Sequence, residues 1–275
     1  MIDIRMVASD VDSTILPRGG VISENLRRAV RGLRDRGIPF IIASGRWIGA
    51  LGDIVRQTGA EGMPLIIANG AAVIGPDGAP MREWLLDDAD ARRAYDIMRR
   101  FDIQINGYAR DSLYCVNTRA LKRPSTMISD YIGAGHARLS VDDTAAFEAG
   151  ALKSAYKLEG LTEDPALILR VREALAETGL AVTHSSWRNV ELMAAGVGKG
   201  RALRWLAGAM DIPMAHCMAF GDNANDLDML SAVGWPVAVG NADSDIRAAA
   251  RIVAPADVDD GVARTILERV LGEAP

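Results

Sequence analysis

Short, continuous apolar runs that each end in a polar cluster constrain this chain more than any other feature. Ile4 to Ala8 leads into Asp10-Val11-Asp12-Ser13-Thr14, and Ile38 to Ala43 into Ser44-Gly45-Arg46. Leu65 to Ala68 leads into Asn69-Gly70, and Cys217 to Phe220 into Gly221-Asp222-Asn223-Ala224-Asn225-Asp226. Runs this short, and apolar but for Arg5 in the first, read as strands buried on both faces. Amphipathic stretches separate them. Ser23 caps a helix in which Leu26, Ala29, Val30 and Leu33 follow helical spacing, and Gly37 stops it. A further helix from about Trp47 precedes the third strand. Leu203, Leu206, Ala207 and Met210 line another helix, helices are expected at about Asn225 to Val233 and Val262 to Leu271, and a strand at Val237 to Val239. Such alternation predicts an α/β fold, a doubly wound, Rossmann-like parallel sheet with helices on both faces.

Between about residues 85 and 187 the texture changes. Ile103 to Ala109 and Leu113 to Asn117 read as a hairpin, Ser154 to Leu158 as a strand, Pro165 to Thr178 as a helix and Leu180 to Ser186 as a strand. The expected organisation is a discontinuous core of residues 1–84 and 188–275, with an α+β domain inserted at 85–187. The 275 residues are 49% apolar and 24% charged, the make-up of a globular protein able to fill its core. A net charge of -5 argues against a nucleic-acid partner, which calls for a cationic face. Cys115 and Cys217 are too few and too far apart for a disulfide framework or a CxxC metal site. Asp3 and Arg5 interrupt any leader-like apolar start, and no apolar run is long enough to span a bilayer. The expected setting is the cytoplasm, away from membranes.

Ligands of open parallel sheets bind beyond the carboxyl ends of the strands, so the four polar clusters converge if their strands are neighbours. Asp10, Asp12, Asp222 and Asp226 would then bring four carboxylates together. Two such charges about 4 Å apart repel by roughly 4 kcal/mol at an effective dielectric near 20, so the cluster calls for cations. All-oxygen donors favour magnesium over zinc. Lys199, in Gly196-Val197-Gly198-Lys199-Gly200 at a helix start, offers fixed positive charge, although a solvated lysine is the alternative. Ser44 and the amides after the strands are ready phosphate donors. An aspartate can attack phosphorus, and a second one two residues on can act as general acid and then base, with carboxylate crowding helping to keep it protonated.

These motifs resemble those of haloacid-dehalogenase-superfamily phosphatases of the Cof-like branch, which carry a large α+β cap. The ordered matches are Asp10-Val11-Asp12-Ser13-Thr14, Ser44, Lys199 and Gly221-Asp222 through Asp226, with Gly240-Asn241-Ala242 and Asp260-Gly261-Val262 extending them. The resemblance implies Asp10 as nucleophile and Asp12 as acid/base. It implies magnesium on the Asp10 and Asp222 carboxylates and the Asp12 main-chain carbonyl, with Asp226 orienting that shell. It places phosphate contacts at Val11, Ser44, Gly45, Lys199 and Asn225. Ser13 departs from the family's usual glycine, a costly choice if that position needs a positive φ.

The implied activity is hydrolysis of a small phosphorylated metabolite, with sugar phosphates first. A phosphomutase and a metal- and phosphosugar-binding module without turnover remain open. The segment around Lys199 is no Walker A loop, because Met193 and Gly200 stand where Gly and Ser/Thr belong. Asp222 to Val233 is no calcium loop, lacking its glycine and glutamate. Arg46 and Asn69 read either as substrate contacts or as a salt-bridged arginine and a turn asparagine. In the insert, Arg119, Lys122 and Arg123 read as a solvated charged face or an anion site. His184, Trp187, Arg188 and Asn189 form a candidate substrate-facing edge, and His136 and His216 read as structural.

Overall fold

Fourteen strands form two separate sheets among the residues described by the computed structural model, 2–122 and 138–274. In chain order they are β1 (Met6–Ser9), β2 (Phe40–Ala43), β3 (Leu65–Ile67), β4 (Ala72–Ile74), β5 (Pro80–Glu83), β6 (Gln104–Tyr108) and β7 (Ser112–Val116). Then follow β8 (Arg138–Val141), β9 (Lys157–Leu161), β10 (Ala181–Thr183), β11 (Asn189–Met193), β12 (Cys217–Gly221), β13 (Trp235–Ala238) and β14 (Ile252–Val253). One unit comprises Met1–Arg46, Leu51–Arg82 and Gly198–Pro275; the other comprises Trp47–Ala50 and Glu83–Val197.

The first unit's sheet runs β14-β13-β12-β1-β2-β3-β4-β5. Val7 of β1 lies opposite Met218 of β12 on one side and Phe40 of β2 on the other, both pairings parallel. β1, β2 and β12 are buried along their whole length, as strands covered on both faces must be. β3 and β4 pair antiparallel, turning the chain back at Ala68–Gly70. The helix Glu24–Asp35 forms as its spacing predicts. Ser23 Oγ accepts the Leu26 N–H at 3.0 Å, and Leu26, Ala29, Val30 and Leu33 are buried. Because β2, β1 and β12 are neighbours, the polar clusters after them share one end of the sheet, the topological switch point of a doubly wound fold.

The second unit's sheet runs β10-β11-β9-β6-β7-β8, antiparallel except for β7 with β8. Its two faces differ in kind. Ile103, Ile105, Leu158, Val190 and Leu192 join one apolar core with residues of the helices Asp88–Met98, Thr144–Ser154 and Pro165–Ala176. A Cβ at Gly107 would lie 2.4 Å from Ala151 Cβ, so the helix can approach β6 this closely only over a glycine.

Several boundaries move from their expected places. The insert does not end at residue 187: Asn189–Met193 pairs antiparallel with β9, which carries the second unit on to Val197. Asp143 caps a helix that takes up Ser154, so the strand expected there begins at Lys157. Only a 3₁₀ turn, Ile48–Ala50, follows Trp47, whose indole N–H donates to Ala109 O at 2.7 Å, and the α-helix begins at Gly52. The helix expected at Asn225 to Val233 shortens to Leu227–Leu230, after a 3₁₀ turn at Ala224–Asp226.

Cys115 and Cys217 are free and buried. His216 Nδ1 lies 3.0 Å from an Asp3 carboxylate oxygen, in a structural setting. Arg123 and His136 lie outside the described residues. No helix among the described residues is long and apolar enough to cross a membrane.

Candidate active site

Asp10 stays in the ladder as β1 ends, its N–H donating to Phe220 O at 3.0 Å, and its carboxylate is buried. The chain then turns on a single carbonyl. Val11 O accepts from the N–H groups of Thr14, Ile15 and Leu16 at 3.2, 3.0 and 2.9 Å. This tight return puts Ser13 at a φ of 58°, a left-handed conformation costing a residue with a Cβ roughly 1–2 kcal/mol. Asn241 braces the turn by donating from Nδ2 to Ser13 O at 2.7 Å, while its Oδ1 accepts the Asp257 N–H at 2.8 Å.

Lys199 is fully buried and serves two carboxylates at once. Its Nζ donates to Asp10 Oδ1 at 2.6 Å and to Asp226 Oδ1 at 2.7 Å. Close backbone packing sets the helix start that carries it. A Cβ at Gly70 would meet Gly198 O at 2.2 Å, and one at Gly200 would meet Asp228 O at 2.2 Å. Gly200 N–H also donates to Asp228 Oδ2 at 2.8 Å. Asp228 was not singled out from sequence. Two residues beyond Asp226 in the first turn of a short helix, it has no signature that separates it from a solvated acid.

Asp226 uses both carboxylate oxygens, since Oδ2 accepts the N–H groups of Asp222 and Asn223 at 3.0 and 3.3 Å. Asp222 Oδ1 accepts from Thr14 Oγ1 at 2.8 Å, linking β12 to the β1 turn. One carboxylate oxygen each from Asp10, Asp222 and Asp226 gathers within 4.8 Å of the others. The fourth carboxylate expected there faces elsewhere. Asp12 is exposed and lies in the guanidinium fork of Arg46, with Nε to Oδ2 at 2.9 Å and Nη2 to Oδ1 at 2.6 Å. The convergence is therefore three plus one, because a bidentate fork satisfies both oxygens of Asp12.

On the β2 side, Ser44 is buried and its Oγ accepts the Arg46 N–H at 3.1 Å. Gly45 sits so close to Asn69 that a Cβ would lie 2.7 Å from Asn69 Oδ1. Asn69 is buried, and its Oδ1 accepts from Asn225 Nδ2 at 3.1 Å. Asn69 Nδ2 donates to no partner among the described residues. Val11, Ser44, Gly45, Arg46, Asn225 and Lys199 thus all lie in the turns after β1, β2 and β12 or at the adjoining helix start. Of the residues proposed for the inserted domain, Arg188 pairs with Glu163 at 3.0 Å and Trp187 is exposed. Lys122 is exposed and Asn189 is buried.

Burial pushes the Asp10 carboxyl well above the carboxylate range; Lys199 opposes this, while Asp226, Asp222 and Asp12 reinforce it. For Asp222, burial first and Asp226 next raise it to about 7. Burial pulls the Lys199 ammonium down, but Asp10 and Asp226 outweigh it and raise the group above its ordinary value. One buried cation against three carboxylates leaves negative charge uncompensated. Clustered oxygen donors without His or Cys fit a hard divalent cation.

A doubly wound sheet with acidic residues gathered at its switch point, beside a buried lysine and phosphate-competent turns, defines a phosphoryl-transfer class of hydrolase. The family described as haloacid dehalogenase-like hydrolase matches residues 7–266, and the chain belongs to it. It is 26% identical over 271 residues to a 5-amino-6-(5-phospho-D-ribitylamino)uracil phosphatase of Bacillus subtilis, covering 98% of this chain and 97% of the relative. It is 28% identical over 243 residues to an HMP-PP phosphatase of Yersinia pseudotuberculosis, covering 86% and 84%. The solved structure of a HAD subclass IIB sugar phosphatase superposes with a TM-score of 0.82 at 16% identity, over 95% of this chain and 97% of that one, a likeness of fold. The protein is accordingly a phosphoric monoester hydrolase of HAD type.

Two outcomes follow from the site's strain and charge. Ser13→Gly removes the Cβ from a left-handed residue and is expected to raise stability by about 0.5–1 kcal/mol, read as a higher urea midpoint at unchanged slope. The Asp222 proton stays on to about pH 7 in the folded protein without divalent cation, whereas the unfolded chain releases it near 4. The unfolded chain then binds fewer protons than the folded one, so this group's contribution weakens the fold as pH rises from about 4 to about 7. Besides Asp226, the charged and polar neighbours acting on it are Lys199, Asp12 and the Thr14 hydroxyl. Urea unfolding of chelator-treated wild type and Asp222→Asn is expected to show the variant gaining on wild type across that window, with added magnesium closing the gap. A pH-independent gap contradicts this.

Proposed function

We propose that this chain is a magnesium-dependent phosphomonoesterase that acts on a small phosphorylated metabolite, with sugar phosphates first, through an aspartyl phosphate on Asp10. The observation that carries the reading is the buried Asp10 carboxylate, held at one oxygen by Lys199 at the end of β1 and grouped with Asp222 and Asp226. In the first half-reaction a carboxylate oxygen of Asp10 attacks phosphorus and the bond from phosphorus to the ester oxygen breaks. Asp12 gives its proton to that oxygen, and the alcohol departs. Water then attacks the aspartyl phosphate, Asp12 takes its proton, and cleavage of the Asp10–phosphorus bond returns the carboxylate and inorganic phosphate. For either transfer Asp12 must leave the Arg46 fork, a side-chain rotation that frees Arg46 for the anionic substrate.

The main chain at Val11 and Gly45, the Ser44 hydroxyl, the Asn225 amide and Lys199 meet the phosphoryl oxygens in this reading, and Arg46 joins them. The carboxylates of Asp10 and Asp222 and the main-chain carbonyl of Asp12, with Asp226 behind them, would hold magnesium, which would supply charge neutralisation for the transferred phosphoryl group. Such preorganised positive charge is the largest contribution available in phosphoryl transfer. The relatives named for a ribitylamino-uracil phosphate and for HMP-PP support a small metabolite as substrate.

The test is phosphate release from 4-nitrophenyl phosphate and a panel of sugar phosphates. Release is expected with magnesium, is lost on chelation, and falls at least about 10³-fold in Asp10→Asn with the thermal unfolding transition retained. Undiminished turnover by folded Asp10→Asn contradicts the mechanism.

A further inference from the structure

A turn with no part in the chemistry described so far touches three of the elements that supply it. Ala68–Gly70 sends β3 back into antiparallel β4. On the side of the β2 turn, the Ala68 N–H donates to Arg46 O at 2.9 Å and the Asn69 N–H to Ser44 O at 3.0 Å. The Asn69 side chain fills the space where a Cβ at Gly45 would stand, 2.7 Å from Asn69 Oδ1. On the side of the β12 turn, the same Oδ1 accepts from Asn225 Nδ2 at 3.1 Å. At the helix start, a Cβ on Gly70 would come within 2.2 Å of Gly198 O and 2.9 Å of Lys199 N. All of these residues belong to the first unit.

Stability alone does not account for this turn. Ala68, Asn69 and Gly70 take φ values of 48°, 55° and 88° in succession. Glycine does so freely and asparagine more readily than most residues, but alanine is strained there by its Cβ. Asn69 is 1% exposed, and its Nδ2 has no acceptor among the described residues. A buried donor left unpaired destabilises a fold, and strained backbone gathers where function fixes it. Glycine in place of Asn69 would suit the backbone and remove the unpaired donor. It would also remove the acceptor of Asn225 Nδ2. That nitrogen carries two protons, and engaging one of them with Asn69 Oδ1 gives the other a fixed direction.

We propose that Asn69 is a positioning residue of the phosphoryl site, which fixes the Asn225 amide so that its second N–H is already aimed when a phosphoryl group arrives. This rests on the phosphomonoesterase reading above and adds a residue to which that reading gives no role. A donor held in place binds an anion more strongly than a mobile one, because no ordering is left for the binding step. Asn69 acts through Asn225 and makes no contact of its own with substrate.

A double-mutant cycle separates action through Asn225 from independent action. The probe is inorganic phosphate, titrated by calorimetry into the full chain at saturating magnesium. Asn69→Gly and Asn225→Ala are each expected to raise its dissociation constant at least about tenfold, as the loss of a hydrogen bond to a charged group does. The double variant is expected within about threefold of Asn225→Ala, since a contact already removed is not lost twice. The same cycle in kcat/KM for 4-nitrophenyl phosphate is expected to agree, and it decides the matter where phosphate binds too weakly to titrate. Magnesium affinity of Asn69→Gly is expected to stay within about twofold of wild type, whereas general damage to the core would weaken both ligands together.

Unchanged phosphate affinity in Asn69→Gly, parallel loss of magnesium affinity, or single losses that multiply to about a hundredfold in the double variant overturns the proposal. If Asn69→Gly does not fold, Asn69→Ser takes its place, and loss of the fold in both overturns the proposal by making the residue structural. Ester hydrolysis by wild type together with multiplying losses overturns the positioning role and leaves the phosphatase reading standing. Phosphate binding with the expected cycle but no hydrolysis of any ester upholds the positioning role and contradicts the phosphatase reading. Neither binding nor hydrolysis overturns both.

Discussion

The buried ammonium of Lys199, shared between Asp10 and Asp226, is the contact on which the arrangement at the end of the first unit's sheet depends. Its three atoms come from β1, from the turn after β12 and from a helix start far away in sequence. Taking such charges out of water costs several kcal/mol each, and their attraction offsets that only when the geometry is close and the remaining polar atoms are paired. Both conditions hold here. Asp226 turns its second oxygen to the Asp222 and Asn223 amides, and Lys199 reaches its partners because Gly198 and Gly200 let the helix start sit against Asp228 and the Gly70 turn. Removing one partner of such a group typically costs about 3–5 kcal/mol, so the arrangement is rigid. One cation does not balance three acids, however. The remaining negative charge suits a divalent cation, and it adds to burial, the larger cause, in raising the Asp10 and Asp222 carboxyls.

Much of the first unit was legible in the sequence because its signals are local. Strands buried on both faces read as unbroken apolar runs, and the Ser23 cap with its Leu26, Ala29, Val30 and Leu33 face reads as a helix in any context. Strand ends followed by Asp10, Ser44 and Asp222 needed only neighbouring strands to meet, which the order β2-β1-β12 provides. What was not legible depends on tertiary contact. The direction of the Asp12 side chain is decided by Arg46, which comes from another strand's turn. Asp228 matters through a glycine backbone on a different helix. The second unit was harder because its strands are polar on one face, and Asn189–Met193 joins the sheet by long-range pairing that no local pattern marks. Trp47 likewise belongs to that unit through its bond to Ala109, not through its own helical propensity.

The two sheets differ in where their polar groups lie. In the first, the side chains within β1, β2 and β12 are apolar apart from Ser9, and the polar groups gather in the turns beyond the strand ends. In the second, chemistry-bearing groups lie within the strands, on one face, held by one another. Turns vary in sequence without disturbing a core, whereas a polar network on a sheet face must remain mutually satisfied.

The most direct measurement of the central claim is rapid acid quench of the magnesium-loaded protein during turnover of an aryl phosphate, followed by mass spectrometry of its peptides. The account predicts a phosphoryl group on the peptide that contains Asp10, lost on treatment with hydroxylamine as an acyl phosphate must be. Turnover with burst kinetics and a phosphoryl group on any other residue would contradict it.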